Sequence, residues 1–183
     1  MYLLFQGGKM TYKEHITNTM GLLAEHKDTV FLGEGLINAG RIYGTMDYVP
    51  ITKCLEMPIA ENLIVGAAMG LALQGFKPVV IFQRMDFMLV AADAIINHLC
   101  KIPAMSGDRV KLPVIIRAII GNQDKKFDVG LQHKADYTRI FSPYMLTIPL
   151  IEPDHIHMFY KAAYKKDEPV LLIEKYNKYG DTK

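Results

Sequence analysis

Residues 78–82 read Pro-Val-Val-Ile-Phe, a run that is apolar at every position and rich in β-branched side chains. Such residues favour strands, and a strand without polar alternation is typical of a parallel sheet that helices cover on both faces. Similar runs recur along the chain at Thr29–Gly33, Thr52–Leu55, Pro113–Ile120, Met145–Pro149 and Pro169–Glu174. Helical patterns separate these runs. We therefore predict a three-layer α/β/α domain with a mostly parallel sheet of about six strands.

The predicted helices have recognisable boundaries. Thr11 and Glu14 have the spacing of a capping box, which predicts a helix that begins there and ends near His26. Residues from Phe87 to about Ile102 predict a helix that ends before Pro103. Pro153-Asp154 starts another helix, with a proline and an acid correctly placed in its first turn.

Composition excludes several classes of protein. The chain has 183 residues, of which 50% are hydrophobic and 22% charged, as expected of one ordinary globular domain. A formal net charge of +2 is too small to indicate a nucleic-acid partner. No apolar run approaches the roughly 18–20 residues that span a bilayer, and no basic signal peptide leads the chain. We expect a cytoplasmic protein with no membrane partner.

The two cysteines indicate a reducing compartment. Cys54 and Cys100 lie far apart with no second pair, so we expect buried, reduced thiols rather than a disulfide or a metal site.

Leu4-Phe5-Gln6-Gly7 resembles part of a viral-protease recognition site used in expression vectors. We therefore separate residues 1–9, as a leader or an expression remnant, from a domain over residues 10–183.

One predicted helix begins with a glutamate, Glu61. Met57-Pro58-Ile59-Ala60-Glu61-Asn62 is followed by the small and apolar run Gly66-Ala67-Ala68-Met69-Gly70. An acid at a helix N-terminus is often only a complement to the helix dipole. Because the helix behind Glu61 is nearly all apolar or small, we expect it to be buried on all sides. A buried glutamate must be paired or have a function.

Candidate site residues follow the predicted strands. In an open parallel sheet, ligands bind beyond the carboxyl ends of the strands. Our prediction places there Glu34, Glu61, the Arg84–Phe87 turn, the polar Gly121–Gly130 loop and His133. The glycine-rich phosphate-binding motifs and the nucleophile elbow are missing, and we assign no metal ligand in this chain. The residues alone therefore supply a buried acid, a histidine and an aromatic ring, but name no reaction.

Several short motifs occur in the order and spacing of one family. They are Val30–Glu34, Met57–Glu61, Gly66–Ala72, Met105–Gly107 and Leu131–His133. The chain resembles the pyrimidine-binding domain of thiamine-diphosphate enzymes of the transketolase superfamily. It is similar in particular to the beta subunit of the decarboxylating component of 2-oxo acid dehydrogenases of the pyruvate dehydrogenase type. The resemblance covers roughly Thr11 to Gly180 and implies the thiamine-diphosphate-binding fold.

The resemblance implies a role for four residues. Glu61 matches the glutamate that hydrogen-bonds N1′ of the aminopyrimidine, where proton exchange activates the cofactor. Phe87 matches the aromatic residue that stacks on the pyrimidine. His133 matches a histidine at the substrate end of the site, and Glu34 an acid between two active sites. The alternatives are a core aromatic for Phe87, a loop histidine without chemistry for His133 and a structural acid for Glu34.

Departures from the family pattern imply a partner chain. The G-D-G motif with a distal asparagine, which holds Mg²⁺ and the diphosphate, is missing, and Gly107-Asp108-Arg109 does not complete it. The family's C-terminal domain is also absent before Lys183. The resemblance therefore implies an alpha-type partner that binds Mg²⁺ and the diphosphate, in a heterotetramer or a homodimer of pairs. Met85–Met88 and Met105 are candidate interface residues, although core packing explains them equally well.

The resemblance leaves the reaction open. Arg84-Met85-Asp86 replaces the family's threonine–phenylalanine–asparagine, which bears on substrate identity. The leading hypothesis is a thiamine-diphosphate enzyme that cleaves or transfers an acyl or ketol unit from a 2-oxo acid or ketose. In a dehydrogenase complex it would serve a lipoyl acyltransferase. The alternatives are a split transketolase-type subunit and a non-catalytic homologue that scaffolds a thiamine-diphosphate-binding partner.

Overall fold

The structure is a computed structural model that describes residues 10–38, 40–121 and 130–180. The predicted leader, residues 1–9, lies outside the described residues. So does the predicted Gly121–Gly130 loop, apart from its two terminal glycines.

In the described residues six parallel strands form one sheet in the order β2-β1-β3-β4-β6-β5. The strands are β1 Thr29–Gly33, β2 Cys54–Glu56, β3 Lys77–Phe82, β4 Ile115–Ile120, β5 Leu146–Pro149 and β6 Val170–Lys175. The predicted fold class is confirmed. The start of β2 was predicted too early, because Ile51–Lys53 forms a turn of 3₁₀-helix.

The α-helices are α1 Tyr12–Ala24, α2 Glu61–Leu73, α3 Ile102–Met105, α4 Thr138–Phe141 and α5 Ile156–Tyr164. Short 3₁₀-helices lie at Met85–Leu89, Leu131–His133, Pro153–His155 and Tyr176–Lys178, and a π-helix at Ala94–Leu99. The predicted capping box is confirmed, because Glu14 N–H donates to the Thr11 hydroxyl and Thr11 N–H to the Glu14 carboxylate.

The helix predicted over Phe87–Ile102 is wrong in its continuity. The segment begins in the 3₁₀-helix Met85–Leu89 and continues as the π-helix Ala94–Leu99. Pro103 then lies in the first turn of α3 and does not follow a helix end. Proline is tolerated there because the first N–H groups of a helix have no intrahelical partner.

Helices cover the sheet on both faces. α1 and α5 pack together on one face, and α2 and the π-helix pack together on the other. Neighbouring residues of β3 alternate between the two cores: Val79 belongs to the α1–α5 side and Val80 to the α2 side, and both are fully buried. This explains why residues 78–82 are apolar at every position.

The expectation that α2 is buried on all sides is wrong. Its buried side consists of Glu61, Ile64, Val65, Ala68 and Ala72. The other side is exposed: Leu63 is 54% and Leu73 59% accessible. A Cβ atom added at Gly66 or Gly70 would meet no atom within 4 Å. Within the described residues this side is therefore an open apolar strip, which we call the α2 strip (Leu63, Gly66, Gly70 and Leu73).

Both cysteines are free thiols, as expected, although they are half-buried rather than buried. Burial raises the pKa of the Cys54 thiol and raises that of Cys100 to about 11. Both are therefore weak nucleophiles at neutral pH. Among the helices of the described residues, none combines the length and apolarity needed to cross a membrane.

Gly33 ends β1 where two strands approach each other closely. A Cβ atom there would lie 2.6 Å from the carbonyl oxygen of Ile81 in β3, a contact that only a backbone shift relieves. We expect Gly33→Ala to lower the free energy of unfolding by about 1–3 kcal/mol, as overpacking does. Urea denaturation measures the change. The control Gly70→Ala adds its methyl group to open space on a helix and should stabilise by up to about 1 kcal/mol. Equal midpoints for Gly33→Ala and the unmodified chain would contradict the prediction.

Candidate functional site

The candidate site lies where the strand order changes direction. From β1 the chain proceeds to β2 on one side and then to β3 on the other, so the carboxyl ends of β1 and β3 meet at the switch point. Ligands of open α/β sheets bind at such points. Glu34 directly follows β1, Glu61 opens α2 after β2, and Phe87 lies in the 3₁₀-helix after β3.

These elements enclose a small recess. Its walls are formed by two acids, two aromatic rings, two isoleucines and an amide, namely Glu34, Glu61, Phe82, Phe87, Ile64, Ile81 and Gln83. The recess is open to solvent, and its volume of about 10 Å³ has room for about one water molecule. Three predicted site residues therefore converge, but this recess by itself is far too small for a cofactor.

Glu61 is buried without a hydrogen-bond donor. The residue is 7% exposed, and no residue in the described part of the chain donates to its carboxylate, whose oxygens are not completely shielded from solvent. Glu61 is close enough to Glu34 for its negative charge to raise the pKa of the Glu34 carboxyl. The carboxylate therefore remains an open hydrogen-bond acceptor that solvent can reach. The geometry therefore suits a ligand that brings a proton or an N–H group to Glu61.

Glu34 is a half-buried acid held close to Glu61. The side-chain amide of Gln83 donates to the backbone carbonyl of Glu34 at 2.8 Å. Partial burial raises the pKa of the Glu34 carboxyl, and the negative charges of Glu61 and then Glu56 add to that rise. Neither Gln83 nor Glu56 is singled out by the sequence. The only signal is that each polar side chain lies at the carboxyl end of an otherwise apolar strand.

His133 is brought to the site by contacts on the 3₁₀-helix Met85–Leu89. Ala135 N–H donates to Oδ1 of Asp86 at 3.3 Å, and Tyr137 N–H contacts Sδ of Met85 at 3.2 Å. The His133 ring consequently meets the Phe87 ring edge-on, with centroids 5.6 Å apart and planes at 90°. His133 does not line the recess itself but stands beside its aromatic wall.

The unusual Arg84-Met85-Asp86 run serves the scaffold more than the recess. Met85 and Met88 are fully buried, so core packing accounts for these two methionines and an interface role does not, whereas Met105 is 77% exposed. The Arg84 guanidinium is buried between the rings of Tyr43 and Tyr176, at 5.2 Å and 4.6 Å from their centroids. Its Nη1 finds no hydrogen-bond partner among the described residues. None of the three lines the recess.

The side chains of the recess match the chemistry of one edge of an aminopyrimidine. Glu61 offers an unpaired acceptor for a ring nitrogen, and Phe87 offers an aromatic wall on which a planar ring stacks. Within residues 10–38, 40–121 and 130–180, no group of three His, Cys, Asp or Glu side chains is arranged to hold a metal ion. The side chains that line the recess therefore suit the ring of such a ligand.

Comparison with known proteins identifies the family. The profile described as "Transketolase, pyrimidine binding domain" matches residues 8–181. The beta subunit of the pyruvate dehydrogenase E1 component from Saccharomyces cerevisiae mitochondria is 30% identical, over 94% of this chain and 48% of that protein. The beta subunit of acetoin:2,6-dichlorophenolindophenol oxidoreductase from Cupriavidus necator is 28% identical, over 82% of this chain and 48% of that protein.

A solved structure shares the fold. It is described as "Split gene transketolase, inactive beta4 tetramer", and it matches 92% of this chain and 52% of its own with a TM-score of 0.71 and 21% identity. The chain spans about half the length of these relatives. The resemblance inferred from the sequence is thus confirmed, and the chain belongs to the family of transketolase-type pyrimidine-binding domains.

Proposed function

We propose that this chain is the pyrimidine-binding, beta-type subunit of a heteromeric thiamine-diphosphate enzyme. Residues 10–183 would form a single pyrimidine-binding domain. The observation that carries the proposal is Glu61, a largely buried glutamate without a described donor, which lines a recess together with Phe87 at the switch point of the sheet. The assembled enzyme would cleave or transfer an acyl or ketol unit from a 2-oxo acid or ketose.

The proposed roles follow from the positions of the side chains. Thiamine diphosphate, when bound, supplies the carbon nucleophile and the electron sink. Glu61, a largely buried residue, would hold a proton at N1′ of the pyrimidine. Phe87 would stack on the ring, and His133, at the edge of Phe87, would face the substrate. Glu34 would supply a second acid beside Glu61.

An alpha-type partner would complete the site. It would hold the diphosphate and Mg²⁺, in a heterotetramer or a homodimer of pairs. The small volume of the recess supports a site that is shared between chains. The α2 strip supports it too, because it starts two residues after Glu61 and its glycines allow another backbone to approach closely.

The substrate class rests on the relatives. Their names refer to pyruvate, which is a 2-oxo acid, and to acetoin, which is an acyloin. We propose 2-oxo acid decarboxylation first, with a lipoyl acyltransferase as the next acceptor in a dehydrogenase complex. Acyloin cleavage is the second candidate, which the acetoin oxidoreductase relative favours. The intact Glu61 and Phe87 disfavour a purely scaffolding homologue.

We further propose the cytoplasm as the compartment. Both cysteines are free thiols, which suits a reducing environment. Fractionation of cells that produce the tagged protein tests this.

Cofactor binding separates a shared site from a complete one. We expect the isolated chain to show no binding of thiamine diphosphate at micromolar concentrations, with Mg²⁺ present, because the recess encloses only about 10 Å³. Addition of the alpha-type chain, sought in the neighbouring reading frame, should restore micromolar binding in isothermal titration calorimetry. The matched control is the pair carrying Phe87→Ala, which should bind more weakly. Micromolar binding by the isolated chain would refute the shared site.

A further inference from the structure

Glu56, the last residue of β2, holds the turn that follows β1. Its Oε1 accepts a hydrogen bond from the backbone N–H of Gly35 at 2.5 Å. Its Oε2 accepts from the N–H groups of Leu36 at 2.8 Å and Ile37 at 3.0 Å. Three consecutive amides thus converge on one carboxylate, as they do in anion-binding backbone nests. Hydrogen bonds to an ionised acceptor are roughly twice as strong as neutral ones.

Other contacts fix the turn on the side of β1. Met57 N–H donates to the carbonyl of Gly33 at 2.9 Å, and the Gln83 side chain donates to the carbonyl of Glu34 at 2.8 Å. Glu34 therefore lies between two anchored segments. The backbone before it is tied to β2 and β3, and the three amides after it are tied to Glu56.

The anchoring opposes a repulsion. Glu34, Glu56 and Glu61 gather at the carboxyl ends of neighbouring strands, and both other acids act electrostatically on Glu34. Like charges at short range favour separation. A turn held only by neutral contacts would move the Glu34 carboxylate towards solvent, away from Glu61. The charge-assisted bonds of Glu56 act in the opposite direction.

We propose that Glu56 is a positioning residue, which keeps Glu34 against Glu61 by binding the amides of Gly35, Leu36 and Ile37. This rests on the proposed function only in taking Glu34 and Glu61 as parts of the site. Glu56 does not line the recess and has no contact with a reacting group. It acts through the backbone of the turn.

Amide hydrogen exchange in the isolated chain tests the clamp. Glu56→Gln keeps the side-chain length but replaces one accepting oxygen with an NH₂ group and removes the charge. We expect exchange at Gly35, Leu36 and Ile37 to accelerate by about 10-fold or more, since a bond to a charged acceptor is lost. Glu25→Gln, the same change at an exposed acid, should leave these amides unchanged. Unaltered exchange in Glu56→Gln would overturn the proposal.

Titration of Glu34, followed by NMR of its labelled side chain, tests the positioning itself. Glu56→Gln should lower the Glu34 pKa, because a nearby charge is removed and because Glu34 moves away from Glu61. In a Glu61→Gln background only the first effect remains, so the same substitution should lower it less. An equal decrease in both backgrounds means that Glu56 acts only by its charge, and the proposal fails.

A second variant and independence from the cofactor make these experiments conclusive. If Glu56→Gln does not fold, Glu56→Asp retains the charge at a shorter reach, and the same two measurements apply, with a smaller acceleration of exchange expected. Neither measurement uses thiamine diphosphate or a partner chain. They therefore succeed or fail independently of the proposed enzymatic function, which the cofactor-binding experiment tests.

Discussion

Glu61→Gln should lower the turnover number of the assembled enzyme by about 10²–10⁴-fold, the usual effect of losing a positioned acid–base group. Glutamine preserves the size of the side chain and can still accept a hydrogen bond, but it cannot exchange a proton with a ring nitrogen. We therefore expect the decrease in turnover to exceed any change in the affinity for the cofactor.

The measurement needs the pair of chains. Steady-state turnover would be followed with an alpha-type partner, thiamine diphosphate, Mg²⁺ and an artificial electron acceptor, with pyruvate and acetoin as separate substrates. Glu168→Gln, at an exposed acid, is the matched control and should retain full activity. If Glu61→Gln turns over as fast as the unmodified pair, the catalytic assignment of Glu61 is wrong. An inactive unmodified pair that still binds the cofactor would favour the scaffolding alternative.

Breaking the ion pair between Arg117 of β4 and Glu174 of β6 should lower the free energy of unfolding by about 3–5 kcal/mol. Both side chains are completely buried. Arg117 Nε donates to Glu174 Oε1 at 2.6 Å, and Nη2 donates to Oε2 at 2.9 Å and to the Thr45 hydroxyl at 2.7 Å. Removal of either partner leaves an uncompensated buried charge. Such a loss is a large part of the roughly 5–15 kcal/mol that stabilises a typical domain.

Two tyrosines complete the network around Glu174. The Tyr160 hydroxyl donates to Oε1 at 2.8 Å, and the Tyr179 hydroxyl donates to Oε2. Burial, together with the negative charge of Glu174, holds the pKa of both phenols well above the ordinary value. Both hydroxyls therefore remain protonated donors at neutral pH, and they leave the Glu174 carboxylate with bonds on both oxygens.

Urea denaturation of Arg117→Met, Glu174→Leu and the double variant measures the effect. We expect each single variant to be strongly destabilised and the double variant to recover much of the loss, because two apolar side chains leave no buried charge. Asp93→Asn is the control, since Asp93 and its partner His98 are exposed and such pairs contribute about 0–1 kcal/mol. Single variants within about 1 kcal/mol of the unmodified chain would contradict the prediction.

The part of the candidate site that directly follows the ends of the strands was predictable from the sequence. The ends of apolar strands identify Glu34 and the turn before Phe87, and the parallel topology brings these ends together. The resemblance added the role of Glu61. Glu56 was not predictable in this way, because its partners are the backbone amides of Gly35–Ile37, which any sequence possesses. Backbone donors leave no mark on residue identity.

The turn that brings Thr45 to Arg117 was also not predictable from the sequence. Gly40, Arg41, Ile42, Tyr43 and Gly44 all have positive φ, a left-handed turn that non-glycine residues rarely adopt. The Arg41 side chain holds it, with bonds to the carbonyls of Leu36 at 3.0 Å and Val49 at 2.7 Å. Local preference argues against this conformation, and only contacts across the fold stabilise it.

The sequence by itself determined the layered parallel sheet, the capped first helix and the family. These depend on local periodicity and on the free energy of burying apolar strands, both of which are properties of residue types in order. The tertiary structure decided the open side of α2, the pairing of Arg117 with Glu174 and the binding of the Glu34 turn by Glu56. The physical reason is that hydrophobicity measures how favourable burial is, whereas the neighbouring chain segment decides whether a side chain is buried and what it binds.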